Sequence, residues 1–128
     1  MPNLPFTIPD LYADFAEAQG IARLDDDILI LEYQTKDSIV GMIKSDIKVI
    51  RLHLSQLSCI KFEKKWFKGY LHIRAKSMST LADVPGSEHD ALRLVISKKF
   101  KTLAEQLSID AELRIAEINL KNLDANMK

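Results

Sequence analysis

The residues best suited to chemistry are lysines grouped around two aromatic side chains in the middle of the chain. This candidate site consists of Lys61, Lys64, Lys65, Trp66, Phe67 and Lys68. Lysines beside an anionic membrane contribute about 1 kcal/mol each, and aromatic rings enter the interfacial layer. The sequence thus predicts a site for anionic lipid or another partner. The structural alternative, which we favour at this point, is that Trp66 folds back onto the protein and the lysines only protect an edge strand.

Nothing in the sequence predicts catalysis. We find no phosphate-binding glycine loop, no HExxH, no CxxC and no Gly-x-Ser-x-Gly. Ser87, His89 and Asp90 include the residue types of a hydrolase triad, but neighbours in one turn rarely converge on a substrate. His53 and His72 have no carboxylate or cysteine at metal-ligand spacing. We therefore expect no enzymatic activity, no cofactor and no metal site.

Length and composition are those of an ordinary globular domain. The chain has 128 residues, of which 47% are hydrophobic and 28% charged. Its apolar stretches are much shorter than the ~20 residues that span a bilayer, and the N-terminus lacks the basic and apolar regions of a signal peptide. Cys59 is the single cysteine, so no internal disulfide forms. A cytoplasmic protein is expected, with peripheral membrane attachment as the alternative.

The net charge is zero, but the charges lie in blocks along the chain. Residues 10–37 hold eight acids and two bases, a net charge of −6. Residues 44–76 hold nine bases and two acids, a net charge of +7. Such blocks can guide a partner into register, although most charge runs are simply solvated faces. Because the whole chain is neutral and no aromatic stripe accompanies the bases, nucleic-acid binding is not expected.

A short helix is predicted near the N-terminus, over residues 9–19. Apolar residues recur there at helical spacing, namely Ile8, Leu11, Tyr12, Phe15 and Ala16. Gly20 is placed to end this helix. A helix so short is marginal alone, so its apolar face must dock on the rest of the protein or on a neighbouring subunit.

Antiparallel strands are predicted to follow. Their expected ranges are 28–33, 38–44, 47–54, 57–64, 69–76 and 90–98. An acidic turn, Asp25 to Asp27, precedes the first strand, and residues 65–68 join the basic hairpin. Pro85 and Gly86 suit the two central positions of a type II turn. With no helix between strands, parallel architectures are disfavoured.

The C-terminal part of the chain is predicted to be helical. Phe100, Leu103, Ala104 and Leu107 mark one face, which should close the sheet. A second apolar stripe follows at alternating spacings of four and three, formed by Ile109, Leu113, Ala116, Leu120, Leu123 and Met127. Its offset from the first face indicates that it meets a different surface, such as another subunit. Residues 109–115 also alternate in polarity, so a strand remains an alternative there.

Several segments together resemble an uncharacterised bacterial pleckstrin-homology-like (PH-like) domain family. They are Leu54-Ser55-Gln56-Leu57, the run Lys64-Lys65-Trp66-Phe67-Lys68-Gly69-Tyr70-Leu71-His72-Ile73-Arg74, Val84-Pro85-Gly86-Ser87, and the strand with Leu92, Leu94 and Ile96 followed by the helix. The resemblance covers residues 27–108. It implies a partly open barrel with one end capped by the C-terminal helix. It also implies a precedent for lipid binding, since some PH-like domains bind phosphoinositides through basic residues on a hairpin.

The expected fold class is therefore α+β. It is mainly antiparallel β, a PH-like split barrel capped by a C-terminal amphipathic helix, with a short N-terminal helix. We expect one domain over residues 1–128. Its parts are an N-terminal helix and lead-in at 1–24, the barrel and capping helix at 27–108, and a helical extension at 109–128.

Two functions are predicted, neither of them enzymatic. The leading hypothesis is an interaction domain that forms a homo-oligomer, because two apolar helical stripes exceed what one small barrel buries. Its candidate contacts are Leu11, Phe15, Leu113, Leu120 and Leu123. The alternative is a peripheral membrane module that binds anionic lipid headgroups through the basic hairpin. Another protein is a further candidate partner.

Overall fold

The computed structural model describes residues 2–11, 16–37 and 46–127 of the chain. Within these ranges it has seven β-strands, three short 3-10 turns and one long α-helix. The strands are β1 (Leu4–Leu11), β2 (Ala16–Asp25), β3 (Ile28–Asp37), β4 (Lys48–His53), β5 (Leu57–Lys64), β6 (Lys68–Ala75) and β7 (Ala91–Ser97). The 3-10 turns span Leu54–Gln56, Met78–Leu81 and Lys98–Phe100, and the helix α1 spans Lys101–Met127.

All seven strands belong to one antiparallel sheet that does not close. Their order is β4-β3-β2-β1-β7-β6-β5, so β4 and β5 form its edges in the described chain. Helix α1 packs mainly against β5 and the 3-10 turn at Leu54–Gln56. One cluster of buried apolar side chains includes residues from every strand and from α1. The prediction of a mainly antiparallel α+β fold with a C-terminal helix is confirmed.

The sheet consists of two meanders, β1 to β4 and β5 to β7. They join between β1 and β7, where Thr7 and Val95 form the one registered pair among the described residues. Pro5 and Pro9, two residues on either side of Thr7, have no N–H to donate, which limits the ladder that β1 can form. A cleft of about 540 Å³ opens beside Leu11 where the two strands separate.

The helix predicted over residues 9–19 is wrong. β1 and β2 form an antiparallel hairpin here, in which Leu4 faces Ala22 and Leu11 faces Ala16, and residues 12–15 lie outside the described part of the chain. Burial in β1 follows the strand period of two, with Leu4, Phe6 and Ile8 all buried. Leu11, a predicted oligomer contact, is only 7% exposed and belongs to the protein's own core.

Gly20, expected to end the N-terminal helix, instead lies inside β2. It pairs with Tyr33 of β3. A Cβ atom at this position would lie 1.9 Å from the carbonyl oxygen of Glu32 and 2.7 Å from the Cα of Tyr33. The close approach of the β3 backbone therefore requires a residue without a side chain.

Most of the other predicted strands are confirmed. β5 has its predicted range, and β4, β6 and β7 nearly match theirs. The strand predicted at residues 38–44 lies outside the described residues, and β3 pairs with β4. The turn after Val84 has type II features, since Gly86 has φ 81° and the Ser87 N–H donates to the Val84 carbonyl at 3.3 Å.

Helix α1 carries two apolar stripes on opposite sides. The inner stripe packs on the sheet and consists of Ala104, Leu107, Ala111, Ile115 and the partly buried Ile118. The outer stripe, formed by Ile109, Leu113, Ala116, Leu120 and Leu123, is exposed, and its first residues border a groove beside β5. The second stripe thus has a different orientation from the first, as predicted, and its contact with another subunit stays a prediction. The alternative of a strand at 109–115 is wrong. No helix among the described residues is long and apolar enough to cross a membrane.

Candidate functional site

The turn between β5 and β6 displays two large aromatic side chains to solvent. Trp66 is 81% exposed and Phe67 is 76% exposed. The Lys65 N–H donates to the Lys68 carbonyl at 2.8 Å and closes the turn. The two rings meet edge to face, with centroids 6.3 Å apart. The structural alternative, in which Trp66 folds back onto the barrel, is therefore not the arrangement in this structure.

Lysines from a second segment lie beside this turn. Lys68 at the start of β6 pairs with Ser97 at the end of β7, so the 3-10 turn Lys98–Phe100 and the start of α1 lie next to the hairpin. The Lys101 ammonium donates to the Lys65 carbonyl and, at 3.3 Å, to the Trp66 carbonyl. We define the hairpin tip as Lys65, Trp66, Phe67 and Lys68 together with Lys98, Lys99 and Lys101.

Three lysines at the β7–α1 junction belong to the site although the sequence did not predict them there. Lys98, Lys99 and Lys101 lie about thirty residues from the turn, around Phe100 at the predicted start of the helix. The sequence did contain one indication that these lysines lie near the turn, namely the predicted pairing of β6 with β7. Because antiparallel β6 and β7 were both predicted, the residue at the start of β6 had to lie near the end of β7. The structure therefore enlarges the predicted site with cations from a distant segment.

Two of the predicted site lysines do not belong to the tip, because they bind α1. The Lys61 ammonium lies 3.0 Å from the Glu112 carboxylate, and the Lys64 ammonium lies 2.9 Å from the Glu105 carboxylate. The hydrogen bond and the negative charge of Glu112 raise the pKa of Lys61 above its ordinary value. Glu112 also accepts a hydrogen bond from the Ile60 N–H at 3.3 Å. Lys61 and Lys64 thus attach the hairpin to the helix.

Glu63 is an acid close to the tip. Its carboxylate lies 3.0 Å from His72 Nε2 and 3.3 Å from the Lys65 ammonium. The hydrogen bond with His72, followed by that with Lys65, lowers the pKa of Glu63 below its ordinary value. Lys68 lies 5.4 Å from the centre of the Tyr70 ring. With five lysines and Glu63 as the neighbouring acid, the tip is positively charged.

The remaining sequence candidates have separate positions. Leu113, Leu120 and Leu123 lie on the exposed outer stripe of α1, whereas Phe15 lies outside the described residues. Ser87 donates its hydroxyl to the Leu81 carbonyl at 2.8 Å, which is a local turn contact. The described residues contain no group of three His, Cys, Asp or Glu side chains that could hold a metal ion.

No protein-family model, curated protein or solved structure matches the chain.

Proposed function

We propose that this chain is a non-enzymatic PH-like interaction module that binds anionic membrane surfaces through the hairpin tip. The sheet order supports the PH-like assignment, because two antiparallel meanders joined at β1 and closed by a C-terminal helix agree with the split barrel that the sequence resemblance implies. Such a scaffold serves many functions, so the proposal for binding rests on the tip.

The observation that carries the proposal is the joint exposure of Trp66 and Phe67 inside a cluster of lysines. An exposed tryptophan beside an exposed phenylalanine has no role in the protein's own core. In a membrane interface each ring would leave water, and full burial of a phenylalanine contributes about 1.5–3 kcal/mol. Each lysine near an anionic surface adds about 1 kcal/mol. Stable membrane attachment requires two contributions, and here they would be burial of the aromatic rings and attraction of the lysines to anionic lipid.

Self-association was the leading hypothesis from the sequence because two apolar helical stripes were predicted, and the described residues form only the stripe on α1. The described N-terminal apolar residues, Ile8, Leu11 and Ala16, belong to strands, and Leu11 lies in the core. The outer stripe of α1 remains exposed, so a homo-oligomer stays a prediction. For this reason membrane binding becomes the leading proposal.

Co-sedimentation with vesicles tests the proposal. The protein is mixed with phosphatidylcholine vesicles and with vesicles that also contain phosphatidylserine, at low and moderate salt. We expect binding to the anionic vesicles alone, weakening as salt rises, because ions screen the lysines. Trp66 is the single tryptophan, so its fluorescence should shift to the blue on binding as the indole leaves water.

Two variants locate the binding surface. Trp66→Ala/Phe67→Ala and Lys65→Glu/Lys68→Glu should each reduce anionic-vesicle binding at least tenfold. Lys48→Glu/Arg51→Glu is the matched control, since it makes the same charge change at two exposed side chains of β4, at the opposite edge of the sheet. It should bind more tightly than the tip variant. Equal binding to neutral vesicles, or equal losses in the tip variant and the control, would contradict the proposal.

A further inference from the structure

We infer that the outer stripe of α1 docks a basic amphipathic helix of another protein. The four large residues of this stripe, Ile109, Leu113, Leu120 and Leu123, are each 54–62% exposed. With Ala116 between Leu113 and Leu120, the stripe alternates at spacings of four and three, which is the seam that one helix presents to another in a coiled coil. This inference does not depend on membrane binding, because the hairpin tip is a different surface.

Acids line the outer stripe along its length. On one side Asp110, Glu117 and Asp124 follow one another at intervals of seven residues, and each lies directly after a seam position. In heptad terms these are successive e positions. Glu117 and Asp124 form no ion pair within the described part of the chain, and Asp110 accepts only a hydrogen bond from Gln106, at 3.1 Å. This flank therefore presents unneutralised negative charge.

On the other side of the stripe the acids are already paired with lysines of β5. Glu105 and Glu112 occupy g positions, seven residues apart, and are held by Lys64 and Lys61. Asn119 follows at the next g position and is neutral. No g position or e position from Glu105 to Asp124 carries a base. The acids at the e positions thus select a partner with lysines or arginines at the facing positions, and neither flank offers a base that would repel it.

A second copy of this chain does not meet that requirement. In a parallel pair the g residues of one helix face the e residues of the other, and in an antiparallel pair e faces e and g faces g. Either arrangement places acids such as Glu117 next to acids of the partner. Like charges at these positions disfavour the pair and act as a barrier to self-association.

The structure also provides space and length for a docked helix. A groove of about 800 Å³ lies between β5 and α1, lined in part by Ile60, Phe62, Ile109 and Leu113. It can take a large apolar side chain from a partner at the first turns of the stripe. Beyond Ile118 no described side chain of α1 is buried, and residues 119–127 extend roughly 13 Å further at 1.5 Å per residue. A partner helix would cover the two leucines on this extension.

The test uses the full chain and two synthetic peptides of three heptads. Both have leucine at the a and d positions, and one has lysine at e and g whereas the other has glutamate. Fluorescence anisotropy of labelled peptide should show binding of the lysine peptide and at least tenfold weaker binding of the glutamate peptide. Failure of both peptides to bind, or equal binding of the two, would overturn the inference.

Two variants separate this surface from non-specific attraction. Leu113→Ser/Leu120→Ser changes only exposed side chains, so the fold should persist by circular dichroism while the lysine peptide binds at least tenfold more weakly. Glu117→Lys/Asp124→Lys should shift the preference toward the glutamate peptide. An unchanged preference, or a homodimer of the unmodified protein at micromolar concentration that Leu113→Ser/Leu120→Ser abolishes, would count against a heterotypic partner.

Discussion

Gly20 is the residue whose role depends most on the backbone around it. A Cβ atom there meets the β3 backbone, at 1.9 Å from the Glu32 carbonyl oxygen. A Cβ atom at Gly69 would instead meet the end of the Phe62 ring at 2.5 Å, and a side chain can rotate away more easily than a backbone can shift. The two glycines therefore provide a matched pair for measuring how tightly the strands pack.

We predict that Gly20→Ala lowers the free energy of unfolding by about 3 kcal/mol or more, since β2 and β3 must separate to admit the methyl group. Gly69→Ala should cost less, about 1 kcal/mol, because Phe62 is only partly buried and can move. Urea denaturation of the two variants and the unmodified protein gives both values. If Gly20→Ala loses less free energy of unfolding than Gly69→Ala, the close approach of β2 and β3 does not determine the cost of a side chain at residue 20.

The candidate site was only partly predictable from the sequence at the scale of single residues. The run Lys64 to Lys68 was identified because its members are neighbours. The exposure of Trp66 was not, since a ring at a turn folds back or points outward according to the contacts the rest of the chain offers. The attachment of Lys61 to Glu112 also depends on packing, because it joins residues that meet only after α1 lies along β5.

At the scale of elements, strands with a local turn were predicted well and the N-terminal hairpin was not. β5 and β6 alternate clearly and are joined by a short turn, so local pattern and tertiary structure agree. In the first twenty residues, the spacing of Ile8 and Leu11 fits a helix, and a strand buries both only because the β1–β2 register shifts between them. What decides between them is the pairing of β2 with β3 along ten residues, a contact that no local pattern reports.

Helix α1 has a buried half and an exposed half with different energetic roles. We predict that deletion of residues 119–128 changes the free energy of unfolding by less than about 1 kcal/mol, because no described side chain in that segment is buried. By contrast, Ile115→Ala on the inner stripe should cost about 2–4 kcal/mol through the cavity it leaves. Thermal and urea unfolding of both variants checks the contrast. A large loss on deletion would mean that the extension supports the core.

At the scale of the whole molecule, the basic hairpin tip and the acidic β2–β3 turn lie at different points along α1. The hairpin tip surrounds the start of α1, where Lys101 contacts the turn. Thirteen residues further along the helix, about 20 Å away, Arg114 donates to the carbonyl of Asp26 in the acidic β2–β3 turn. A neutral protein with this separation carries a dipole along α1, which would turn the tip toward an anionic surface.

The joint, which is the contact between β1 and β7 where the two meanders meet, affects where the native protein opens first. The two meanders share one apolar core, yet in the described part of the chain β1 and β7 share a single registered pair, Thr7 with Val95. We expect native-state hydrogen exchange to divide the sheet along this line, with amides at the joint exchanging faster than those in the middle of β2 or β6. If the joint is as protected as the strand centres, the core alone couples the halves. If amides at the joint exchange faster than those at the strand centres, sub-global opening begins beside Pro9, while the buried side chains of each meander stay packed.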